Sequence, residues 1–331
     1  MLFFREAFDD ESSSSSASAE MELDDMSCRN AKPEIDPLSR YGPHAFIPYP
    51  QPSLLQPTTN LSTPQPTLTI NHTSSWTYSG PTLSENSSPL PPSFHRWSKL
   101  TTSDPSTLLA RLLPLLSFLK AFLKKAGVEH YWLTIRASTP TNDYDMRRWH
   151  VDDDFFEEGF GRVMRDDDNG GLGRKGWKVA ATLLGPSTMF FEDNDSPLQI
   201  LRATKALARE ASQHACTSIR CLGCATYAES VRESLSAFLA DHATVSPGLG
   251  EVAFFRLGEA EGAVHSEPKC DVDRVFVNVV PGSEEQLRGL MSRWGMEWPR
   301  SWCVGLPGDI VVDEEMEEFV KEEKEGEMTR M

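Results

Sequence analysis

The sequence predicts an α+β fold in which short antiparallel strands form a distorted barrel or sandwich with flanking and inserted helices. Strand-like runs bounded by Gly and Pro turn signals occur on both sides of a helical segment at about 198–242. This order lacks the regular strand–helix alternation of a doubly wound parallel sheet. The chain has 331 residues, of which 39% are hydrophobic, and this is enough for one large core.

Residues 1–98 are predicted to be disordered. They contain the serine run Ser12–Ser16, many prolines and almost no periodic apolar pattern. We expect a single β-barrel domain over residues 99–311. The acidic tail, 312–331, is predicted to be either a surface helix or disordered.

The first predicted helix begins at Asp104 and Pro105, which are a capping residue and a proline suited to the first turn. It runs to about Ala126 and ends before Gly127. Its many leucines predict burial, and Pro114 predicts a kink.

Alternating and β-branched patterns predict six strands and a return strand after the first helix. Two helices are expected within 198–242, and a short one at 284–294. The predicted strands cover residues 130–136, 148–152, 177–184, 189–191, 251–257, 262–265 and 274–280.

The net charge of −17 opposes non-specific binding to nucleic acid or to anionic membranes, which depends on clustered Lys and Arg. No membrane span is expected, because no apolar run approaches the roughly 20 residues that a bilayer requires. No secretory signal is expected, because the N-terminus turns acidic at once. Six cysteines are too few for a disulfide scaffold in a chain of this length. An intracellular location, cytoplasmic or nuclear, is therefore predicted, and the oligomeric state stays open.

The strongest chemical signal is a His-x-Asp pattern on a predicted strand. Alternation places Arg148, His150 and Asp152 on one face, and His265 ends a distant strand-like run. Two histidines and one carboxylate form the ligand set of a facial non-haem iron(II) site. His-x-Asp is also common by chance, so the interpretation depends on where these strands lie.

Two arginines accompany this set. Arg274 follows His265 by nine residues and could hold the carboxylate of a co-substrate, or it could form a buried salt bridge with Asp152 or Glu267. Arg148 is a catalytic candidate that could contact an anionic substrate. Its structural alternative is a salt bridge to the aspartates at 152–154.

These motifs resemble the iron(II)/2-oxoglutarate-dependent dioxygenase superfamily. The resemblance implies a double-stranded β-helix (a cupin-like or jelly-roll-like barrel), with His150, Asp152 and His265 as metal ligands and Arg274 as the 2-oxoglutarate anchor. More narrowly, the chain is similar to an uncharacterised family, domain of unknown function 1826. The motifs shared with that family are His150-x-Asp152, Gly185-Pro186-Ser187-Thr188, His265-Ser266-Glu267-Pro268 and Arg274.

The chain departs from the dioxygenase pattern at two places. Phe276 stands where Ser or Thr often follows the anchoring arginine, and a long helical segment precedes His265. The hypothesis drawn from the motifs is an iron(II) oxygenase that uses 2-oxoglutarate and acts on an unknown small-molecule or protein substrate. The alternatives are a catalytically silent barrel that binds or scaffolds partners, and a cupin-like metal enzyme that does not use 2-oxoglutarate.

Three other motifs carry less weight. His214, Cys216, Cys221 and Cys224 could share a zinc ion, although buried helical cysteines are the simpler interpretation. The letters G-x-G-x-x-G at 171–176 lack the strand-then-helix context of a dinucleotide site and predict a flexible loop. No G-x-S-x-G elbow occurs, so a nucleophilic triad has no support.

Overall fold

Seven antiparallel strands form the larger of two sheets, in the order β1-β7-β4-β9-β3-β2-β10. The computed structural model describes residues 42–50, 68–83, 90–156, 176–211 and 221–307, all within one compact unit. The strands of this sheet are β1 (His44–Pro48), β2 (Ser74–Pro81), β3 (His130–Ser138), β4 (Trp177–Leu184), β7 (Glu251–Arg256), β9 (Arg274–Gly282) and β10 (Arg300–Val304).

A second, three-stranded sheet has the order β6-β5-β8. Its strands are short: β5 (Met189–Phe191), β6 (Thr244–Val245) and β8 (His265–Ser266). Within the described ranges neither sheet closes on itself, so the closed barrel expected from the sequence is not confirmed. The mixed α+β class with a large antiparallel sheet is confirmed.

Five α-helices accompany the sheets in the described part of the chain. The two helices predicted within 198–242 are present as α3 and α4, and the short helix near 284 is present as α5. The helices are α1 (Pro92–Thr101), α2 (Pro105–Lys125), α3 (Asp195–Ala211), α4 (Leu222–Phe238) and α5 (Glu284–Arg293).

Helix α2 covers one face of the large sheet. The Asp104 side chain caps it by accepting hydrogen bonds from the backbone N–H groups of Ser106 and Thr107, and Pro114 lies inside the helix without ending it. Six of its leucines are buried, at positions 108, 112, 115, 116, 119 and 123. They pack in one core cluster with the β9 residues Val275, Val277 and Val279.

By length and composition α2 is also apolar enough to cross a membrane, with a mean hydropathy of 1.5 over its most apolar stretch. The sequence expectation that no run was long enough is therefore wrong for this helix. Its buried leucines give the apolar face a place in the core. The intracellular location remains a prediction.

The prediction of disorder over residues 1–98 is wrong for three segments. Strand β1 pairs with β7, strand β2 pairs with both β3 and β10, and α1 begins at Pro92. In β2, Trp76 and Tyr78 alternate with small polar residues and are buried. Two strands this short do not shift the composition of a Ser- and Pro-rich region, so a compositional argument missed them.

Residues 148–152 do not form the predicted strand. They contribute one isolated antiparallel bridge, between His150 and His265. Likewise, of the predicted strand at 262–265 only the last residue belongs to a strand, which is β8. The predicted tail at 312–331 lies outside the described residues.

Candidate metal centre

The candidate site lies against the face of the large sheet that α2 does not cover. On β9, Arg274, Phe276 and Asn278 alternate with the three core valines and so point to this opposite face. The small sheet packs here, because Phe190 of β5 lies in one apolar cluster with Phe255 of β7 and other residues of the large sheet. The site is therefore bounded by both sheets.

Two histidines are brought side by side by their own backbones. His150 N–H donates to the carbonyl of His265 at 3.0 Å, and His265 N–H donates to the carbonyl of His150 at 2.9 Å. This is the hydrogen-bonded pair of an antiparallel ladder, which places the two side chains on the same side. Their ring centroids are 4.3 Å apart.

Asp152 completes the cluster. Its Oδ1 lies 3.6 Å from His150 Nε2, and its Oδ2 lies 3.5 Å from His265 Nε2. One ligand atom from each residue lies within 4.8 Å of the other two. A metal bound about 2.1 Å from each ligand needs neighbouring ligands about 3 Å apart, so only a small closure separates this arrangement from coordination.

Each imidazole has its other nitrogen on a backbone carbonyl. His150 Nδ1 is 2.7 Å from the carbonyl of Arg148, and His265 Nδ1 is 2.9 Å from the carbonyl of Ala263. A carbonyl can only accept, so both Nδ1 atoms carry the proton in the neutral rings. Both Nε2 lone pairs are then free to bind a cation, which is the arrangement typical of metal-bound histidines.

Lys178 of β4 is the part of this site that the sequence analysis missed. Its Nζ lies 2.5 Å from Asp152 Oδ2, and its side chain is only 11% exposed. The ammonium is 5.8 Å from the ring centroid of Phe155 and 5.7 Å from that of Phe255. A signal was present, because Lys178 is the one charged residue in the strand Trp177–Leu184.

The charged groups of the site shift one another's pKa values. Burial of Asp152 would raise its pKa, but the charges of Lys178, His265 and His150 hold that pKa well below its usual value. Burial would likewise lower the pKa of His150, yet Asp152 and Glu267 together raise it. Burial and the neighbouring charge of His150 lower the pKa of His265 to about 4. Asp152 is therefore an anion and His265 a neutral ligand near neutral pH.

Asn194 holds the segment that carries His265. Its side-chain amide donates to the carbonyl of Gly262 at 3.2 Å and accepts from the N–H of Val264 at 2.7 Å. Both bonds are buried, so they fix the backbone one residue before the ligand. No sequence pattern pointed to this residue, since an Asn before a helix is ordinarily a cap.

Arg274 is buried at one end of the same face. Its Nε donates to the carbonyl of Pro186 at 2.9 Å, and its guanidinium carbon lies 4.5 Å from the ring centroid of Phe276. Its Nη2 is buried without a hydrogen-bond partner. Burial lowers the pKa of Arg274 to about 10, against the opposing charge of Glu267.

Glu267 connects the two ends of the constellation electrostatically. Its carboxylate interacts with His150 and His265 and also with Arg274. Neither alternative salt bridge considered for Arg274 is formed, because Asp152 pairs with Lys178 and the Nη2 of Arg274 is unpartnered. The structure thus leaves this cation with a free donor.

Arg148 does not form the salt bridge that was its structural alternative. Its guanidinium carbon lies 4.9 Å from the ring centroid of Tyr144, and its backbone N–H donates to Ser266 Oγ at 3.0 Å. Arg148 and the aspartates at 152–154 are all described, and no ion pair joins them.

The other candidate motifs are only partly visible. Cys221 lies at the start of α4, and Cys224 is exposed rather than buried as expected. His214, Cys216 and nearly all of the 171–176 loop lie outside the described residues.

No protein-family model matches this chain, and no curated protein matches it. The His150, Asp152 and His265 cluster is therefore interpreted from its own geometry.

Proposed function

We propose that this protein is a non-haem iron(II) oxygenase that uses 2-oxoglutarate and acts on a substrate that is still unknown. The observation that carries the proposal is the convergence of His150, Asp152 and His265 from distant parts of the chain. Two imidazoles and one carboxylate are the protein ligands of the facial iron(II) site, which leaves positions open for other ligands.

The donor atoms fit such an ion. Both Nε2 atoms are available, and Asp152 Oδ1 can serve as a monodentate ligand while Oδ2 stays with Lys178. When bound, the iron would supply redox chemistry with oxygen. The chain's own contribution is to hold the three ligands on one side and to exclude water with the rings of Phe190 and Phe255, which lie 5.7 Å and 4.9 Å from the His265 ring.

Arg274 supports the use of 2-oxoglutarate. A buried guanidinium with an unpartnered Nη2 is a suitable donor for a carboxylate. Arg274 and the two histidines interact electrostatically with the same carboxylate, that of Glu267, which supports a role for Arg274 at this site. Arg148, half-buried beside Tyr144, is the second candidate for contacting an anionic substrate.

The fold is proposed to be an open, distorted form of the double-stranded β-helix. This proposal follows the resemblance of the motifs to the dioxygenase superfamily and to domain of unknown function 1826. A large and a small antiparallel sheet bound the site, and the metal ligands lie where the small sheet meets the large one. No nucleic-acid or membrane partner is proposed.

A second candidate function is a binding protein without catalysis. The Lys178–Asp152 ion pair favours it, because this pair already compensates the buried carboxylate without a metal. Phe276, in place of a Ser or Thr, instead favours a metal enzyme that does not use 2-oxoglutarate.

The test is an anaerobic iron(II) titration with and without 2-oxoglutarate, on the wild type, His265→Ala and the control His95→Ala. His95 is exposed on α1, away from the ligand set. We expect one iron site in the wild type and the control, a 2-oxoglutarate-dependent absorption band, and at least about 100-fold weaker iron binding in His265→Ala. Equal iron binding by all three proteins would refute the proposal.

A further inference from the structure

Lys178 changes the charge of the candidate metal centre. Three ligands alone would carry one negative charge, that of Asp152, when both histidines are neutral. With the Lys178 ammonium 2.5 Å from Asp152 Oδ2, the charge of this carboxylate is already compensated before any metal binds. The attraction of Asp152 for a divalent ion is therefore reduced.

The position of Lys178 is enforced by its surroundings. It leaves β4 on the face shared with Ala180, opposite the core residues Val179 and Ala181, and its stem is buried. The rings of Phe155 and Phe255 flank its ammonium. The ammonium is therefore largely shielded from solvent and lies close to any ion that the three ligands bind.

We infer that Lys178 is a positioning residue that acts on the metal through Asp152. It weakens the binding of a divalent metal when no other ligand is present, and it makes metal binding depend on an anionic co-ligand. The inference rests on the proposed function, since it concerns the same three ligands. Like charges a few ångströms apart in a buried site repel strongly. An anion that binds beside the metal and Arg274 removes that repulsion, so metal and anion bind cooperatively.

Two effects of removing the lysine charge act in the same direction. The repulsion of the metal disappears, and the buried Asp152 carboxylate loses the Lys178 ammonium, so a metal ion can take over as its counter-charge. A merely orienting hydrogen bond would have the opposite effect, because losing it weakens metal binding.

The experiment measures Mn(II) binding by calorimetry, with and without 2-oxoglutarate, in the wild type, Lys178→Gln, Lys178→Met and Lys178→Arg. Gln keeps a hydrogen-bond donor, Met keeps an apolar stem between the two rings, and Arg keeps the charge. The matched control is Lys205→Gln, which removes a Lys–Glu ion pair of 2.7 Å at Glu259, outside the ligand cluster.

We expect both neutral variants to bind Mn(II) at least about tenfold more tightly than the wild type without 2-oxoglutarate. The factor by which 2-oxoglutarate strengthens Mn(II) binding should fall by about tenfold in the same variants. Lys178→Arg and Lys205→Gln should resemble the wild type. Mn(II) should also raise the melting temperature of the neutral variants more than that of the wild type.

The outcomes separate the inference from the proposed function. The inference is overturned, and the metal site stays supported, if the wild type binds Mn(II), His265→Ala loses this binding, and the neutral Lys178 variants bind Mn(II) equally or more weakly than the wild type. A Lys178→Arg variant that behaves like Lys178→Gln also overturns it. If no variant binds Mn(II) under either condition, both fail.

Discussion

The two faces of the seven-stranded sheet differ in what their side chains do. On strand β9, Val275, Val277 and Val279 enter the apolar core under α2. The residues between them, Arg274, Phe276 and Asn278, line the face that holds the candidate site. One strand thus contributes to the core with one set of residues and lines the candidate site with the other, because successive side chains alternate across a sheet.

Two polar groups that β9 presents to the site face carry an energetic cost. Arg274 Nη2 and Asn278 Oδ1 are buried without hydrogen-bond partners. Each such atom costs about 1–3 kcal/mol relative to a satisfied one. The core cluster under α2 is built mainly of leucines, valines and aromatic residues and stabilises the molecule, while the other face of β9 keeps unsatisfied groups available for a ligand.

The largest expected effect is on the core face. Leu119→Ala removes a fully buried side chain of α2 and should lower the free energy of unfolding by about 2–5 kcal/mol. Urea unfolding measures this value. The matched control, Leu100→Ala, truncates a leucine that is 41% exposed and should change it by less than about 0.5 kcal/mol.

Mn(II) affinity provides the second half of this comparison. Leu119→Ala should leave it unchanged within about twofold under conditions where the protein is folded, because Leu119 lies in the core cluster on the opposite side of the sheet from the candidate ligands. A large loss of affinity in the folded variant would show that the two faces are energetically coupled.

A smaller effect is expected from a substitution of Arg274 on the site face. Arg274→Met should weaken 2-oxoglutarate binding to the Mn(II)-loaded protein by about 10–100-fold, because a charge-assisted hydrogen bond is worth about 1.5–3 kcal/mol. Calorimetry measures it. Stability should fall little or rise, since the substitution removes a buried guanidinium with an unpartnered Nη2.

Arg274→Lys is the control for geometry. It keeps the positive charge but loses the planar fork, so its affinity for 2-oxoglutarate should be intermediate. An affinity for 2-oxoglutarate equal to that of the wild type in Arg274→Met would remove Arg274 from the proposed site.

The smallest effect concerns His44, at the edge of the site face. Its ring stacks on Phe190 at 5.0 Å between centroids, and burial lowers its pKa to about 4. The unfolded chain takes up the proton below about pH 6.5, whereas the folded protein does not until about pH 4. Stability is therefore fully present above pH 6.5 and is lost as the pH falls toward 4.

The measurement compares the wild type with His44→Phe by urea unfolding at pH 7 and pH 5. The wild type should lose about 1–2 kcal/mol more than the variant between these two values. An equal loss in both proteins would show that His44 does not contribute to the acid sensitivity.

Local patterns were sufficient for much of the fold. The Asp104 cap and leucine spacing predicted α2, and the alternation in 274–280 predicted β9 with Arg274 opposite the valines. They failed where an element depends on distant partners. Strand β2 is ordered by pairing with β3 and β10, which no window of its own sequence contains.

The sequence by itself determined which residues could be ligands, since His150, Asp152, His265 and Arg274 were identifiable from type, spacing and resemblance. Tertiary structure alone decided that the first three meet, through a backbone bridge between segments 115 residues apart in sequence. It also decided that the Lys178 ammonium lies 2.5 Å from Asp152 Oδ2. Coulomb interactions depend on separation in space, and neither separation nor burial can be read from sequence spacing when the partners lie in different segments of the chain.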